Sequence, residues 1–235
     1  MVKALYIYPH PDDESFGPAP AMSLQRRQGH EVHLLTLTRG GATKQRHKHG
    51  YSVEEMGRVR FEEMQDVARV LDLSSMKVLD LPDGGLQELD PREIEAVIRD
   101  EVERLAPDVL VTYPVHGTSG FPDHIVTHAV VKRVYVEARE RIAPLRRLAF
   151  LSVTEREAGL FPWPLKFSKL EEIDAVVPVG ADDLERGRRC LDCYVTYKET
   201  IAETRMRELL QDEIVYEFYR EDFKPPLSDI FDRLS

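Results

Sequence analysis

Short apolar runs alternate along the chain with longer segments whose apolar residues recur at helical spacing. The apolar runs predict six strands, at residues 3–8, 31–37, 77–81, 109–113, 148–153 and 175–179. The segments between them predict helices at residues 19–28, 53–71, 91–105 and 123–141. Strands that alternate with helices form a largely parallel sheet covered on both faces. The pattern therefore predicts an α/β fold of Rossmann-like type, with a mostly parallel sheet and helices on both faces.

The C-terminal third of the chain has a less regular pattern. Residues 155–172, which include Trp163 between two prolines, are predicted to be irregular, and residues 181–220 to be mostly helical. The tail after Lys224 is expected to be loosely ordered and then anchored by Ile230 and Phe231. Because the sequence contains no repeat, linker or low-complexity segment, we expect residues 1–235 to form a single domain.

Charge and composition exclude several classes of function. The net charge of −10 argues against general affinity for nucleic acid or anionic membranes. No apolar stretch approaches the ~20 residues of a membrane span, and the N-terminus turns polar too early for a signal peptide, so we expect a cytoplasmic protein. The two cysteines, Cys190 and Cys193, lie inside a predicted helix, which favours packed thiols over a redox pair.

The most informative segment is His10-Pro11-Asp12-Asp13-Glu14, directly after the first predicted strand. In open parallel sheets, ligands bind outside the carboxyl ends of the strands. Consecutive carboxylates repel one another unless a cation or hydrogen bonds compensate. An imidazole and three acids at this edge therefore indicate a cation site.

A second cluster, Phe121-Pro122-Asp123-His124, follows the fourth predicted strand. If the first and fourth strands are neighbours, His124 can reach His10 and Asp13. Two histidines and one carboxylate leave open positions on a metal, as in catalytic zinc sites. A nearby carboxylate that does not bind the metal, Asp12 or Glu14, could then take a proton from water.

In these two segments the chain resembles the PIG-L/LmbE-like N-acetylglucosaminyl deacetylases, which carry HPDDE after the first strand and PDH after the fourth. The resemblance covers residues 3–130 and fades towards the C-terminus. Further matches are Thr38-Arg39-Gly40, Arg60 with Glu63, Leu81-Pro82-Asp83-Gly84 and His116-Gly117.

The resemblance implies roles for individual positions. It implies that the metal is held by three ligands, His10, Asp13 and His124. These ligand types alone do not separate zinc from iron(II). The resemblance also implies that Asp12 activates a metal-bound water and that Asp123 orients an imidazole as a supporting carboxylate. The substrate would be a small amino sugar or its conjugate, and the residues implied to line its pocket are Arg60, Asp83 and His116. A homo-oligomer is compatible with the resemblance.

One departure concerns Phe121, where the family usually has a histidine that stabilises the tetrahedral intermediate or protonates the leaving amine. Phenylalanine can do neither, and losing one such group costs ~10²–10³ in rate. Three alternatives remain open: His116 or His128 substitutes, Asp12 serves as both base and acid, or the activity is weak or different.

The sequence thus leaves three functional hypotheses. The leading one is a zinc-dependent hydrolase that removes an N-acetyl group from an amino sugar. The second is a non-catalytic sugar- or metal-binding relative, and the third uses the same ligands to hold iron(II) for oxygen chemistry. The basic residues 43–49 could form a lid over an anionic substrate, although a solvated loop is favoured. Trp163 could stack on a sugar, although packing on the core is favoured.

Overall fold

A mixed sheet forms the centre of the computed structural model, which describes residues 1–234. In that range seven strands are present: β1 (Lys3–Tyr8), β2 (Glu31–Thr38), β3 (Ser75–Leu81), β4 (Val109–Thr112), β5 (Arg147–Ser152), β6 (Ala175–Pro178) and β7 (Glu213–Phe218). Their order is β3-β2-β1-β4-β5-β7-β6. Strands β1 to β5 are parallel, whereas β7 runs antiparallel to β5 and β6. The predicted α/β fold with a mostly parallel sheet is confirmed.

Helices cover both faces of this sheet. The α-helices are α1 (Ala19–Arg27), α2 (Arg46–His49), α3 (Val53–Leu71), α4 (Pro91–Leu105), α5 (Pro122–Ala138), α6 (Glu155–Ala158), α7 (Ala181–Cys193), α8 (Lys198–Glu203) and α9 (Met206–Leu209). Successive residues of a strand point to opposite faces. In β1, Tyr6 and Tyr8 accordingly join the core under α1, α3 and α7, while Leu5 and Ile7 join the core under α4 and α5.

The prediction that residues 181–220 are mostly helical is wrong for the last strand, β7. Its sequence EIVYEF pairs with β5 from Val215 to Phe218 and with β6 from Glu213 to Tyr216. Ile214, Val215 and Tyr216 are all buried, as expected of a strand covered on both faces. The charged residues that flank this short run masked its strand character.

The tail folds back onto the sheet edge. Val176 N–H donates to the Leu227 carbonyl, and Leu227 N–H donates to the Asp174 carbonyl, each at 2.8 Å. Ile230 and Phe231 are buried, as predicted. Anchoring therefore begins at Leu227, three residues earlier than expected.

No helix within the described residues combines the length and the apolar character needed to cross a membrane. Cys190 and Cys193 are free thiols in the last two turns of α7, where Cys190 is buried among core side chains. Burial raises the pKa of Cys193 to about 11. Both thiols are therefore protonated at neutral pH and poorly reactive, as predicted for packed cysteines.

The order of the strands decides where the chemistry lies. Strands β1 and β4 are neighbours, with Ala4 opposite Val109 in register. Because they are parallel, their carboxyl ends lie side by side at one edge of the sheet. The two sequence clusters, one after β1 and one after β4, are therefore brought together.

The tail is held chiefly by the buried guanidinium of Arg147. It donates to Glu221 Oε1 and Oε2 at 2.9 and 2.7 Å and to the carbonyls of Ile230 and Asp232 at 2.6 and 2.9 Å. It also lies 4.1 Å from the centroid of the Phe218 ring. One side chain thus links β5 to β7 and to the tail.

We expect Arg147→Met to lower the free energy of unfolding by about 3 kcal/mol, because it leaves buried carbonyls and Glu221 without partners. Urea denaturation, monitored by circular dichroism, measures the change in the free energy of unfolding. Arg146→Met is the matched control, since Arg146 is exposed and makes one 3.2 Å bond to the tail. Equal losses in the two variants would contradict the role assigned to Arg147.

Candidate active site

The loop after β1 is folded into a tight turn that presents its acids to the sheet edge. Asp12 adopts a left-handed backbone conformation with φ of 84°, which aspartate tolerates better than most residues. Its carbonyl accepts the N–H groups of Ser15 and Phe16 at 2.8 and 2.9 Å. The turn separates the side chains of Asp12 and Asp13, so that each carboxylate finds its own partners.

His10, Asp13 and His124 form a compact cluster of ligand atoms. One nitrogen from each imidazole and one oxygen of Asp13 lie within 4.8 Å of one another. The His10 backbone N–H donates to Asp13 Oδ2 at 2.9 Å, and the Tyr113 hydroxyl donates to Asp13 Oδ1 at 2.6 Å. Burial raises the pKa of Asp13, but the charges and hydrogen bonds of the two histidines and Tyr113 outweigh it and lower that pKa below its usual value. Asp13 is therefore ionised.

The imidazole of His124 is oriented by groups outside the cluster. Its Nδ1 lies 3.0 Å from the Gly117 carbonyl, which requires a proton on Nδ1, and its Nε2 lies 3.4 Å from Asp13 Oδ1. Gly117 has φ of 65°, and a Cβ there would lie 2.9 Å from the Cβ of His124. Burial lowers the pKa of His124, so the ring is neutral and its Nε2 lone pair faces the cluster.

His10 is oriented by Asp123. The Nε2 atom of His10 lies 3.0 Å from Asp123 Oδ2, and Asp123 also accepts the backbone N–H groups of Gly84 at 2.8 Å and Leu86 at 3.1 Å. Burial lowers the pKa of His10, but Asp123 and Asp13 more than reverse this and raise it to about 10. With Nε2 engaged, the Nδ1 atom, 3.6 Å from Asp13 Oδ2, is the nitrogen that faces the cluster.

Asp12 lies beside the cluster and is paired with Arg60. The Arg60 Nη2 donates to Asp12 Oδ2 at 2.6 Å and to the Pro11 carbonyl at 2.7 Å, and its Nη1 donates to the Gly40 carbonyl at 3.0 Å. Burial raises the pKa of Asp12 to about 7, although the charge of Arg60 opposes this. A carboxyl group with that pKa can gain and lose a proton near neutral pH.

The other predicted pocket residues differ in position. Asp83 lines the cavity, with Oδ1 3.3 Å from His10 Nε2 and Oδ2 accepting the Ala42 N–H at 2.6 Å. Arg60 also borders the cavity, but its donors are directed at protein oxygens. His116 is not itself a lining residue; it accepts the N–H of the lining residue Thr118 at 3.1 Å and contacts Ser168 Oγ at 3.3 Å.

His128, within α5, and Phe121, directly before α5, have different surroundings. The His128 Nδ1 donates to the Tyr113 carbonyl at 2.9 Å, and the ring packs 4.8 Å from Phe150, so this histidine is buried in the core. Phe121 is 61% exposed, lines the cavity and meets the His124 ring edge-on at 5.7 Å. The position at which the family usually has a histidine therefore faces the cavity.

Two tyrosines of the site, Tyr113 and Tyr194, were not identified from the sequence. Tyr113 directly follows β4 and could have been found from its place beside the second cluster. Tyr194 lies at the end of α7, far along the chain. Its hydroxyl accepts the Asp12 N–H at 2.8 Å and donates to Glu14 Oε1 at 2.7 Å. Nothing in the local sequence indicates this contact.

The cluster opens into a cavity of about 1010 Å³. Trp163 packs against the core, 5.5 Å from Phe161, as favoured from the sequence, and it also lines this cavity. The basic segment 43–49 contains the short helix α2. It is docked on the α8 region, because Gln45 donates to Thr200 at 2.8 Å and Lys48 to Glu199 at 2.9 Å.

Comparison with known proteins gives a family match over more than half of the chain. Residues 5–135 match the family described as PIG-L, GlcNAc-PI de-N-acetylase. The chain belongs to the PIG-L family. All eight site residues proposed from the sequence lie within the matched range.

Among curated PIG-L relatives, a 1D-myo-inositol 2-acetamido-2-deoxy-alpha-D-glucopyranoside deacetylase of Kineococcus radiotolerans is 29% identical over 163 residues. That alignment covers 58% of this chain and 45% of the relative. The probable N-acetyl-alpha-D-glucosaminyl L-malate deacetylase 2 of Bacillus subtilis is 28% identical over 139 residues, 58% of this chain and 62% of the relative. The chain therefore spans about half to two thirds of these relatives.

A solved structure shows the extent of the shared fold. GalB, the 4-carboxy-2-hydroxymuconate hydratase of Pseudomonas putida, is 14% identical with a TM-score of 0.70 and covers 94% of this chain and 97% of its own. At this identity the likeness concerns the fold alone. Because a hydratase shares this fold, the reaction has to be argued from the site.

Proposed function

We propose that this PIG-L protein is a metal-dependent hydrolase that removes an N-acetyl group from an amino sugar or its conjugate. The observation that carries the proposal is the His10–Asp13–His124 cluster, in which Asp13 and His124 are buried, with Asp12 beside it and an open cavity in front. The names of the curated relatives support the substrate class, since both describe deacetylases of glucosamine conjugates.

The three residues fit a zinc ion. Each imidazole has one nitrogen engaged by an outer partner, Asp123 for His10 and Gly117 for His124, and keeps the other for the cluster. Such outer partners fix the tautomer of metal-bound histidines, and a set of two histidines and one carboxylate leaves room for water and substrate. Zinc bound there would polarise the amide carbonyl and acidify water. Iron(II) fits the same donors.

Asp12 is the proposed general base. Its carboxylate borders the same cavity and is held by Arg60 rather than by the cluster. A pKa of about 7 allows it to accept a proton from the attacking water. Arg60 is accordingly assigned to positioning Asp12, and Asp83, which lines the cavity, to binding sugar hydroxyls.

The same geometry bears on which group protonates the leaving amine. Phe121 has no proton to give, His128 is engaged by the Tyr113 carbonyl, and His116 is engaged by Thr118 and Ser168 behind the cavity lining. Of the three alternatives that the sequence left open, the structure favours Asp12. We propose that it accepts the proton of water and then delivers that proton to the amine, as microscopic reversibility permits.

The metal assignment predicts about one zinc ion per chain in protein purified without chelator or affinity-tag metal, and its loss in His10→Ala. Inductively coupled plasma mass spectrometry measures the content, and circular dichroism checks the fold. His47→Ala is the control, because His47 is exposed in the basic segment and could bind adventitious metal. A folded wild-type protein that takes up no zinc would remove the basis of the proposal.

Asp12→Asn should retain zinc but lose at least about 10³-fold in kcat, because the amide can neither accept nor deliver the proton. Release of free amine from N-acetylglucosamine conjugates measures the rate. Asp100→Asn, on the exposed face of α4, should match the wild type. Full activity of Asp12→Asn on an authentic substrate would show that another group is the base.

Phe121→His tests the non-catalytic alternative. If the site lacks only an acid, this variant should raise kcat by roughly 10- to 100-fold over the wild type, since an added donor beside His124 can protonate the amine. A wild type that binds N-acetyl sugars without turnover, together with a variant that hydrolyses them, would favour the binding role. Ile125→His is the control, because Ile125 lies four residues after Phe121, about one helical turn away, and is also exposed.

A further inference from the structure

The two ends of the cavity differ in chemistry. On the β2 and β3 side, its lining includes Thr43, Lys44 and Asp83. On the β5 side apolar side chains predominate, although Ser152, Gln211 and two glutamates also belong to the lining. Because β7 is antiparallel to β5, its first residues lie at the edge where β5 ends. The His10–Asp13–His124 cluster, at the ends of β1 and β4, therefore lies between a polar and an apolar part.

We call the apolar part the acyl arm. It is formed by six residues from three segments of the chain: Leu151, Val153, Trp163, Leu165, Leu210 and Ile214. The loop that carries Trp163 and Leu165 is held in place by two backbone hydrogen bonds just after Leu165. Lys166 N–H donates to the Thr118 carbonyl at 2.7 Å, and Ser168 N–H donates to the Val153 carbonyl at 3.0 Å. The arm is thus part of the folded structure.

The charges around the cavity restrict the occupant of this arm. Glu157 and Glu213 belong to the lining on the acyl-arm side, whereas Lys44 lies on the polar side. Two carboxylates disfavour an anionic group in the arm, and the apolar side chains favour a hydrocarbon. The arm therefore suits an uncharged apolar substituent.

The position of the arm identifies that substituent. The carbonyl carbon and the nitrogen of an amide carry their substituents in opposite directions. With the scissile amide at the cluster, a hydroxyl-rich amine fits the polar part, and the acyl group enters the apolar part. An acetyl methyl would leave most of six apolar side chains without contact. We propose, on the basis of the proposed hydrolase function, that the site also accepts amino sugars with N-acyl chains longer than acetyl and prefers them to the N-acetyl compound.

The reaction remains a simple amide hydrolysis. Water supplies the hydroxyl that bonds to the acyl carbon, the carbon–nitrogen bond breaks, and a proton goes to the amine. The products are a fatty carboxylate and the free amino sugar. The acyl arm contributes binding energy through the hydrocarbon that it removes from water.

The test is a series of N-acetyl-, N-butanoyl- and N-hexanoylglucosamine. Each buried methylene increases affinity about fourfold. We therefore expect kcat/KM to rise at least about tenfold from the acetyl to the hexanoyl compound, mainly because KM falls. Trp163, the only tryptophan, gives a second measurement that does not depend on turnover. Its emission should shift with N-hexanoylglucosamine and remain unchanged with the acetyl compound.

Leu165→Gln places an amide in the arm, on a loop where it should not disturb folding. It should reduce the hexanoyl-to-acetyl ratio of kcat/KM towards one. Leu170→Gln is the matched control, since Leu170 is 75% exposed and lies outside the lining, and it should keep the wild-type ratio.

Three outcomes separate the inference from the function on which it rests. Turnover with equal kcat/KM for acetyl and hexanoyl, and no change in tryptophan emission, would overturn the acyl arm and leave the hydrolase intact. A gain with hexyl glycosides of N-acetylglucosamine instead would show that the arm holds an aglycone, which also overturns it. No turnover of any amide by zinc-loaded protein would contradict the proposed function, and the inference would fall with it.

Discussion

The site depends on the ionised carboxylate of Asp13, buried at the edge where β1 and β4 end. A buried charge is costly unless it is paired and hydrogen-bonded. Asp13 meets this demand with the His10 backbone, the Tyr113 hydroxyl and the His124 ring, which come from three different elements. The loop after β1, the end of β4 and the start of α5 can therefore satisfy this group only when they are assembled together.

The other acids of the site are likewise paired or hydrogen-bonded, each by its own partners. Arg60 pairs with Asp12, two backbone N–H groups and His10 bind Asp123, and Ser15 and Tyr194 donate to Glu14. This separation leaves Asp12 with a pKa near 7 while Asp13 stays ionised. One short sequence can thus carry a metal ligand and a proton carrier side by side, because different elements supply their partners.

The sequence predicted the parts of the molecule that local pattern determines. Strands β1, β2, β4 and β5 read as apolar runs because they are buried on both faces, whereas β3 lies at the edge of the sheet and is only partly buried. The HPDDE segment follows β1, and the PDH segment lies in the stretch after β4. The contacts that escaped prediction join distant residues. Tyr194 and Asp12 are 182 positions apart, and β7 is a strand only because β5 and β6 flank it. No window of sequence contains the partner in either case.

The division of the chain separates the proposed catalytic cluster from the residues proposed to select the substrate. The family match ends at residue 135, and the proposed catalytic cluster lies wholly within it. The six residues that define the acyl arm fall between residues 151 and 214, outside the match. Leu210 and Ile214 reach the cavity because an antiparallel β7 returns to the carboxyl edge of the sheet, whereas the other four lie at the end of β5 and in the loop after it. A departure in substrate can therefore accumulate in this region while the charge pairing around Asp13 stays intact, and Phe121, which faces the same cavity, lies where the two parts meet.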